Sequence, residues 1–366
     1  MNSTIILKGN ILYTPRPSEF VAIQQGYVIA VDGVVVHCGE SIPPAYGEHP
    51  ITDYGDHLII PGFVDTHAHA PQYCNRGLGM DKELLPWLET YTFPEEAKFS
   101  DQEYARLVYG AFVHDLWRNG TTRSILFGTI HMDRNSPEFL IEDTNQSLAD
   151  TKEWLEASAQ FGPLVKPIIT PRFVPSCTSE LMSGLGNLAE AYNVPVQSHL
   201  SENHGEIEWV AALHPEAANY TDVYYEHHLM GKVPTVMAHC IHLSDVEMDR
   251  MAETQTMVSH CPYSNVNLSS GIAPIRKLFE RKIPIGLGSD ISGGHIVSMA
   301  KVLTEAIGLS KMKWVEVDQT YAPLTLSEAF YMATKGGGKF FGKVGSFEKG
   351  CELDALVIDD TTLFDP

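Results

Sequence analysis

The sequence has no run approaching the roughly 18 consecutive apolar residues of a membrane span. Its first ten residues, MNSTIILKGN, have neither the basic region nor the apolar length of a secretory leader. Positive charge is scarce: 25 Lys and Arg stand against 46 Asp and Glu, a formal net charge of −21. A field of that sign repels phosphate backbones and anionic lipid surfaces. No nucleic-acid or membrane partner is therefore expected, and a neutral or cationic small molecule is easier to accept. The six cysteines (Cys38, Cys74, Cys177, Cys240, Cys261 and Cys351) form no CxxC pair. A chain of 366 residues can bury a large core without disulfides, and free thiols suit a reduced, cytoplasmic setting. What remains is ordinary for a globular protein: 44% apolar and 19% charged residues, without short-period repeats or low-complexity segments.

Two rhythms divide the chain. Residues 1–60 read as short strands and turns, with IILKGNILYT, YVIAVDGVVVHCG and HLIIPGF as the β-rich runs. From residue 61 to about 335, apolar runs alternate with amphipathic helical segments: SILFGTI, VKPIITPRFV, VPVQSHL, PTVMAHC, TMVSHCP and PIGLGSD. The clearest helix is SDQEYARLVYGAFVHDLWRNG, where Ser100 can cap, Glu103 completes a capping box and Gly120 closes the end. Continuous apolar strands alternating with helices imply a buried parallel sheet. Residues 336–366 turn β-like again in GSFEKGCELDALVIDD and can return to the N-terminal strands.

The polar residues fall where ligands of such sheets gather, at the carboxyl ends of the strands. PGFVDTHAHA places His67 and His69 two apart, on one side of an extended segment. The later runs end in Arg172 and Phe173, in His199 with Glu202 a helical turn on, in His239, in His260 and in Asp290. Each has an ordinary alternative: a hydrogen-bonded core histidine, a salt-bridged arginine, or an aspartate capping the next helix. All these alternatives would have to hold at one edge of one sheet. Three histidines and a carboxylate with an open position are what a hydrolytic metal centre needs. His204-Gly205-Glu206 also spells the start of the H-x-E zinc-deaminase signature, but no later PCxxC follows, so it reads as the start of a helix.

The set PGFVDTHAH, QSHLSEN, MAHC, SHCPYSN and GLGSD resembles the amidohydrolase superfamily. With PQYCNRG, LPWLETYTFPEE, NGTTRS, TPRF and HLSEN, the chain is similar to its guanine-deaminating branch from about residue 55 to 360. The resemblance implies an α/β fold: a (β/α)8 TIM-type barrel with a small β-sandwich domain built from both chain ends. It implies one zinc per chain on His67, His69, His199 and Asp290, hydrolysis of guanine to xanthine and ammonia, and a homodimer. Glu202 matches the proton shuttle, acting with His239 and Asp290. Gln72, Trp87, Arg172 and Phe173, with His199 and Glu202, fall on positions that hold the purine base. The neighbouring readings are a deaminase of cytosine, a modified guanine or another aminoheterocycle, and a metal-free scaffold relative that has lost its ligands. One feature departs from the pattern. Only seven barrel strands can be counted, and the segment after SILFGTI supplies a single helix, which places nearly one missing strand–helix unit near His131 and Met132. The sequence also ends at Pro366, short of the family's last β strands.

Overall fold

The computed structural model describes residues 3–125, 128–162 and 164–359. Strands β1 (Thr4–Arg16), β2 (Glu19–Val31), β3 (Val34–Gly39) and β4 (Thr52–Pro61) come from the start of the chain, and β13 (Ala355–Ile358) from its end. They make one five-stranded mixed sheet in the order β13-β4-β1-β2-β3. One of its faces is packed on a small core of Ile11, Tyr13, Val28, Val35, Ile59 and Phe347. The run HLIIPGFVDTH is two strands: β4 belongs to this sheet, and after Gly62 the chain enters the barrel as β5 (Phe63–Asp65). Gly62 is required at the crossing, because a Cβ there would lie 2.1 Å from Thr122 Oγ1.

The barrel strands continue as β6 (Thr121–Ser124), β7 (Gly128–His131), β8 (Ile168–Pro171), β9 (Val196–Leu200), β10 (Thr235–His239), β11 (Met257–His260) and β12 (Ile285–Leu287). Strands β7 to β12 form one parallel sheet, and β5 pairs in parallel with β6. Backbone bonds from Thr66 N to Leu287 O and from Asp290 N to His67 O, each 2.9 Å, tie the end of β12 to the end of β5. The continuous core lies between these strands and the helices outside them, with Ile169, Leu181, Val196, Leu200, Met237 and Leu287 fully buried.

Among the described residues eight barrel strands are present, and the shortfall differs from the one read in the sequence. SILFGTI, counted there as one strand, divides into the end of β6 and the start of β7; residues 126 and 127 lie outside the described residues. The difference is in a connection upstream of His131 and Met132, where only positions 125–127 separate two strands, fewer than one helical turn. Every other pair of consecutive barrel strands is separated by at least one helix, whereas β6 ends at Ser124 and β7 begins at Gly128. An apolar cleft of about 330 Å³ opens beside this junction, lined by Leu116, Trp117, Ile125, Ile168, Phe340 and Phe341 among others. His67, His69, Arg172, His199, Glu202, His239 and Asp290 are not part of its lining.

The long helix Gln102–Arg118 is capped by Asp101, whose carboxylate accepts from the amides of Glu103 and Tyr104, and not by Ser100, whose hydroxyl turns back to Ala97 O. Asp101 takes the role because its extended backbone (φ −82°, ψ 108°) aims the side chain at the free amides, while Ser100 still lies in a preceding 3-10 turn. Gly120 (φ +78°) does close the end. The HGE triplet does start a helix, His204–Leu213, with Asn203 and Glu206 forming its capping box.

Candidate active site

The carboxyl ends of β5, β9, β10 and β12 deliver four imidazoles and one carboxylate to a single point. His67 and His69 follow β5 on an extended segment, and backbone bonds from Asp290 N to His67 O and from His69 N to Ile291 O (2.9 Å) lay that segment beside Asp290. His67 Nε2 and His69 Nε2 lie 3.2 and 3.3 Å from Asp290 Oδ1, and His69 Nε2 is 3.2 Å from His199 Nε2. The donor atoms of His67, His69, His199 and Asp290 all fall within 4.8 Å of one another. Ligands about 2.1 Å from a common tetrahedral ion are separated by about 3.4 Å, so these spacings fit a metal. The hydrogen bonding fits as well. His199 Nδ1 donates to Arg172 O at 2.6 Å, which leaves Nε2 bare for a cation. His67 Nε2 is fully buried and has no aligned hydrogen-bond partner among the described residues, a costly arrangement for a ring that faced only protein.

The electrostatics hold the donors in ligand form. Burial pushes His67 down to about 4 and His199 well below the ordinary imidazole range, so both are neutral at pH 7. Burial opposes the charge on Asp290, but the adjoining His67 and His69 rings outweigh it and keep the carboxyl well below its usual range. Asp65 supports the arrangement from behind: its Oδ1 accepts from Ser289 N (2.9 Å) and His67 N (3.2 Å), and its Oδ2 from the Ser289 hydroxyl (2.5 Å).

Next to this cluster stand His239 and Glu202. His239 Nδ1 donates to Asn265 Oδ1 at 3.0 Å, and its Nε2 faces Glu202 Oε2 at 3.3 Å and Asp290 Oδ2 at 3.8 Å. Burial lowers the His239 pKa, but the Glu202 and Asp290 carboxylates raise it further, to a net value above the ordinary one. Burial lifts Glu202 to about 7 against the opposing pull of His239. Glu202 is not a helical turn past His199. It lies in the loop between β9 and the helix that starts at His204, after Ser201 at φ +50°. Its amide is held by Glu206 Oε2 at 2.9 Å, so the cap of that helix fixes the loop. Ser201, His239 and Asp290 all adopt positive φ, a conformation rare for side-chain-bearing residues, and all three lie at strand ends beside the cluster.

A pocket opens over the cluster, lined by His69, Gln72, Trp87, Arg172, Phe173, His199, Glu202, His239 and Asp290, with Leu84, Leu88 and Leu268. Every site residue expected from the sequence except His67, which lies beneath the pocket, is in that lining. His260 is not: it is buried, and burial pushes its ring down to about 3. Trp87 turns its indole N–H to Leu78 O (3.0 Å), so it presents an apolar surface to the pocket. Sequence reasoning missed the three leucines, and it missed Glu96. That carboxylate accepts from Arg172 Nη1 at 2.6 Å and from Gln72 Nε2 at 2.9 Å. The signal lay in the final glutamate of LPWLETYTFPEE, a motif noted only for its resemblance.

A barrel whose strand ends carry three histidines and an aspartate in this arrangement defines a class of metal-dependent hydrolases, and the match to family sequences agrees. Residues 58–366 match the amidohydrolase family, and the chain belongs to it. Within that family, guanine deaminases are among its relatives. It is 45% identical to the guanine deaminase of Dictyostelium discoideum over 340 residues, 85% of this chain and 75% of that protein. It is 40% identical to that of Mus musculus over 333 residues, 82% of this chain and 72% of the other. The crystal structure of guanine deaminase from C. acetobutylicum with bound guanine in the active site superposes with a TM-score of 0.97 at 47% identity, covering 99% of this chain and 92% of that one.

Proposed function

We infer that this chain hydrolyses guanine to xanthine and ammonia, with one zinc ion held by His67, His69, His199 and Asp290. The observation that carries the reading is a pocket that sets this donor set, Glu202 and His239 against Arg172 and Gln72. Zinc at these ligands supplies Lewis-acid activation of water near neutral pH. Asp290 accepts the proton of the attacking water. His239, with a proton on Nε2, donates to the oxygen that adds at C2. Glu202, lifted by burial to about 7, gives its proton to the adjacent ring nitrogen, takes one back from the C2 hydroxyl as that becomes the carbonyl and passes it to the departing amine; the proton held by Asp290 then returns Glu202 to its starting form. Phe173 and Trp87 enclose the flat base, and the buried pocket keeps bulk water from the reacting carbon. The free thiols, the acidic surface and the family membership support a cytoplasmic homodimer.

Arg172 decides which purine is accepted. Guanine presents O6 and N7 as adjacent acceptors, and a guanidinium is a fork of donors that suits them. Adenine places an amino group where O6 would be, so donor would face donor in a buried site. Arg172→Ala is expected to lower kcat/KM for guanine by about 2–4 kcal/mol, the scale of stranded buried polar groups, and to lower the guanine-to-adenine ratio with it. Steady-state ammonia release on both bases tests this. An arginine that only braced the rim would change thermal stability and leave the base ratio where it was.

A further inference from the structure

Arg172 and Gln72 both line the pocket and reach it from segments far apart in the chain. Glu96 joins them. Its side chain is 8% exposed, and its two oxygens are divided: Oε2 takes Arg172 Nη1 at 2.6 Å, and Oε1 takes Gln72 Nε2 at 2.9 Å. Gln72 is held at its other end as well, where Oε1 accepts from Ser292 N at 3.2 Å. Those two bonds fix which face of the amide is donor and which is acceptor, because a flipped amide would set donor against donor at Ser292 and acceptor against acceptor at Glu96. Arg172 is held just as narrowly. Among the described residues its side-chain hydrogen bonds both leave from Nη1, to Glu96 and, at 3.7 Å, to Met132 Sδ, and its guanidinium lies 5.0 Å over the Phe93 ring. The remaining donors of the fork are left for the pocket that Arg172 lines.

We propose that Glu96 is the positioning residue for base selection: one buried carboxylate sets the orientation of both the guanidinium and the amide that read the purine, without itself lining the pocket. This rests on the guanine reading above. The physical case is one of charge and geometry. A buried arginine without its partner is strongly disfavoured and reorients toward whatever acceptor or water it can reach. A neutral amide in place of Glu96 can accept from one of the two neighbours but turns its NH2 group toward the other. Pre-organisation of the donors is what makes a hydrogen-bonding site discriminate between bases, so a loosened fork loses selectivity before it loses chemistry.

The test compares wild type, Glu96→Gln and Glu96→Asp as metal-loaded protein, with kcat and KM measured on guanine, adenine measured as a competitive inhibitor so that the guanine-to-adenine ratio is one of affinities, metal content by elemental analysis, and thermal unfolding. Glu96→Gln is expected to keep its metal, to raise KM for guanine on the order of 10-fold or more with a smaller fall in kcat, and to reduce the guanine-to-adenine ratio by a comparable factor. Glu96→Asp retains the charge at a shorter reach and is expected to recover part of both, and it carries the test if the glutamine variant does not fold. Lower thermal stability with unchanged KM and unchanged base ratio would overturn the proposal and leave Glu96 a structural ion pair. A wild-type protein that neither binds nor turns over guanine would instead overturn the reading beneath it, together with this one.

Discussion

Dialysis against a strong chelator is expected to remove one metal ion per chain and essentially all guanine turnover with it, and added zinc is expected to restore both. Backbone bonds that involve no metal hold His67 and His69 beside Asp290, and Arg172 O fixes the His199 tautomer. Removal of the ion should therefore leave a folded apo-protein that reloads readily. Without the ion, water keeps its ordinary acidity, and Asp290 is far too weak a base to generate hydroxide alone. Manganese and iron accept the same nitrogen and oxygen donors, so elemental analysis of the protein as purified identifies the ion. Full activity in a metal-stripped sample would refute the metal centre.

The second large effect is at Glu202. Glu202→Gln preserves shape and can still accept from Ser270 Oγ, now 3.2 Å from Oε1, but it cannot carry a proton. With metal content unchanged, kcat is expected to fall on the order of 10²-fold or more. The substitution leaves His67, His69, His199 and Asp290 untouched, so a loss of metal would point to a different cause and is checked in the same sample. If the variant turns over guanine at the wild-type rate, proton transfer passes to His239, whose Nε2 is 3.3 Å from the same carboxylate.

The residues on which these effects rest were legible in the sequence for a simple reason. His67, His199, His239 and Asp290 each follow an apolar run, and in a parallel barrel the ends of such runs share one mouth, so a one-dimensional pattern becomes a three-dimensional cluster. Glu96 was not legible that way. It ends the short helix Phe93–Glu96, away from any strand, and only the folded chain brings it to Arg172, which follows it by 76 positions. The cap of the long helix was ambiguous because Ser100 and Asp101 are both good capping types, and only the local backbone angles choose between them. The barrel count failed on one run. SILFGTI is apolar throughout most of its length, and apolarity does not reveal that one strand ends at its first residue and another begins at Gly128. The apolar cleft at Leu116, Trp117 and Ile125 lies beside that junction and shares no lining residue with the pocket.

The central claim is that this pocket deaminates guanine at C2. The most direct measurement is product analysis: zinc-loaded protein incubated separately with guanine and with adenine, with xanthine, hypoxanthine and ammonia quantified over time. The expected result is xanthine and ammonia in equal amounts from guanine, with negligible hypoxanthine from adenine. Guanine recovered unchanged, or hypoxanthine formed from adenine at a comparable rate, would contradict it.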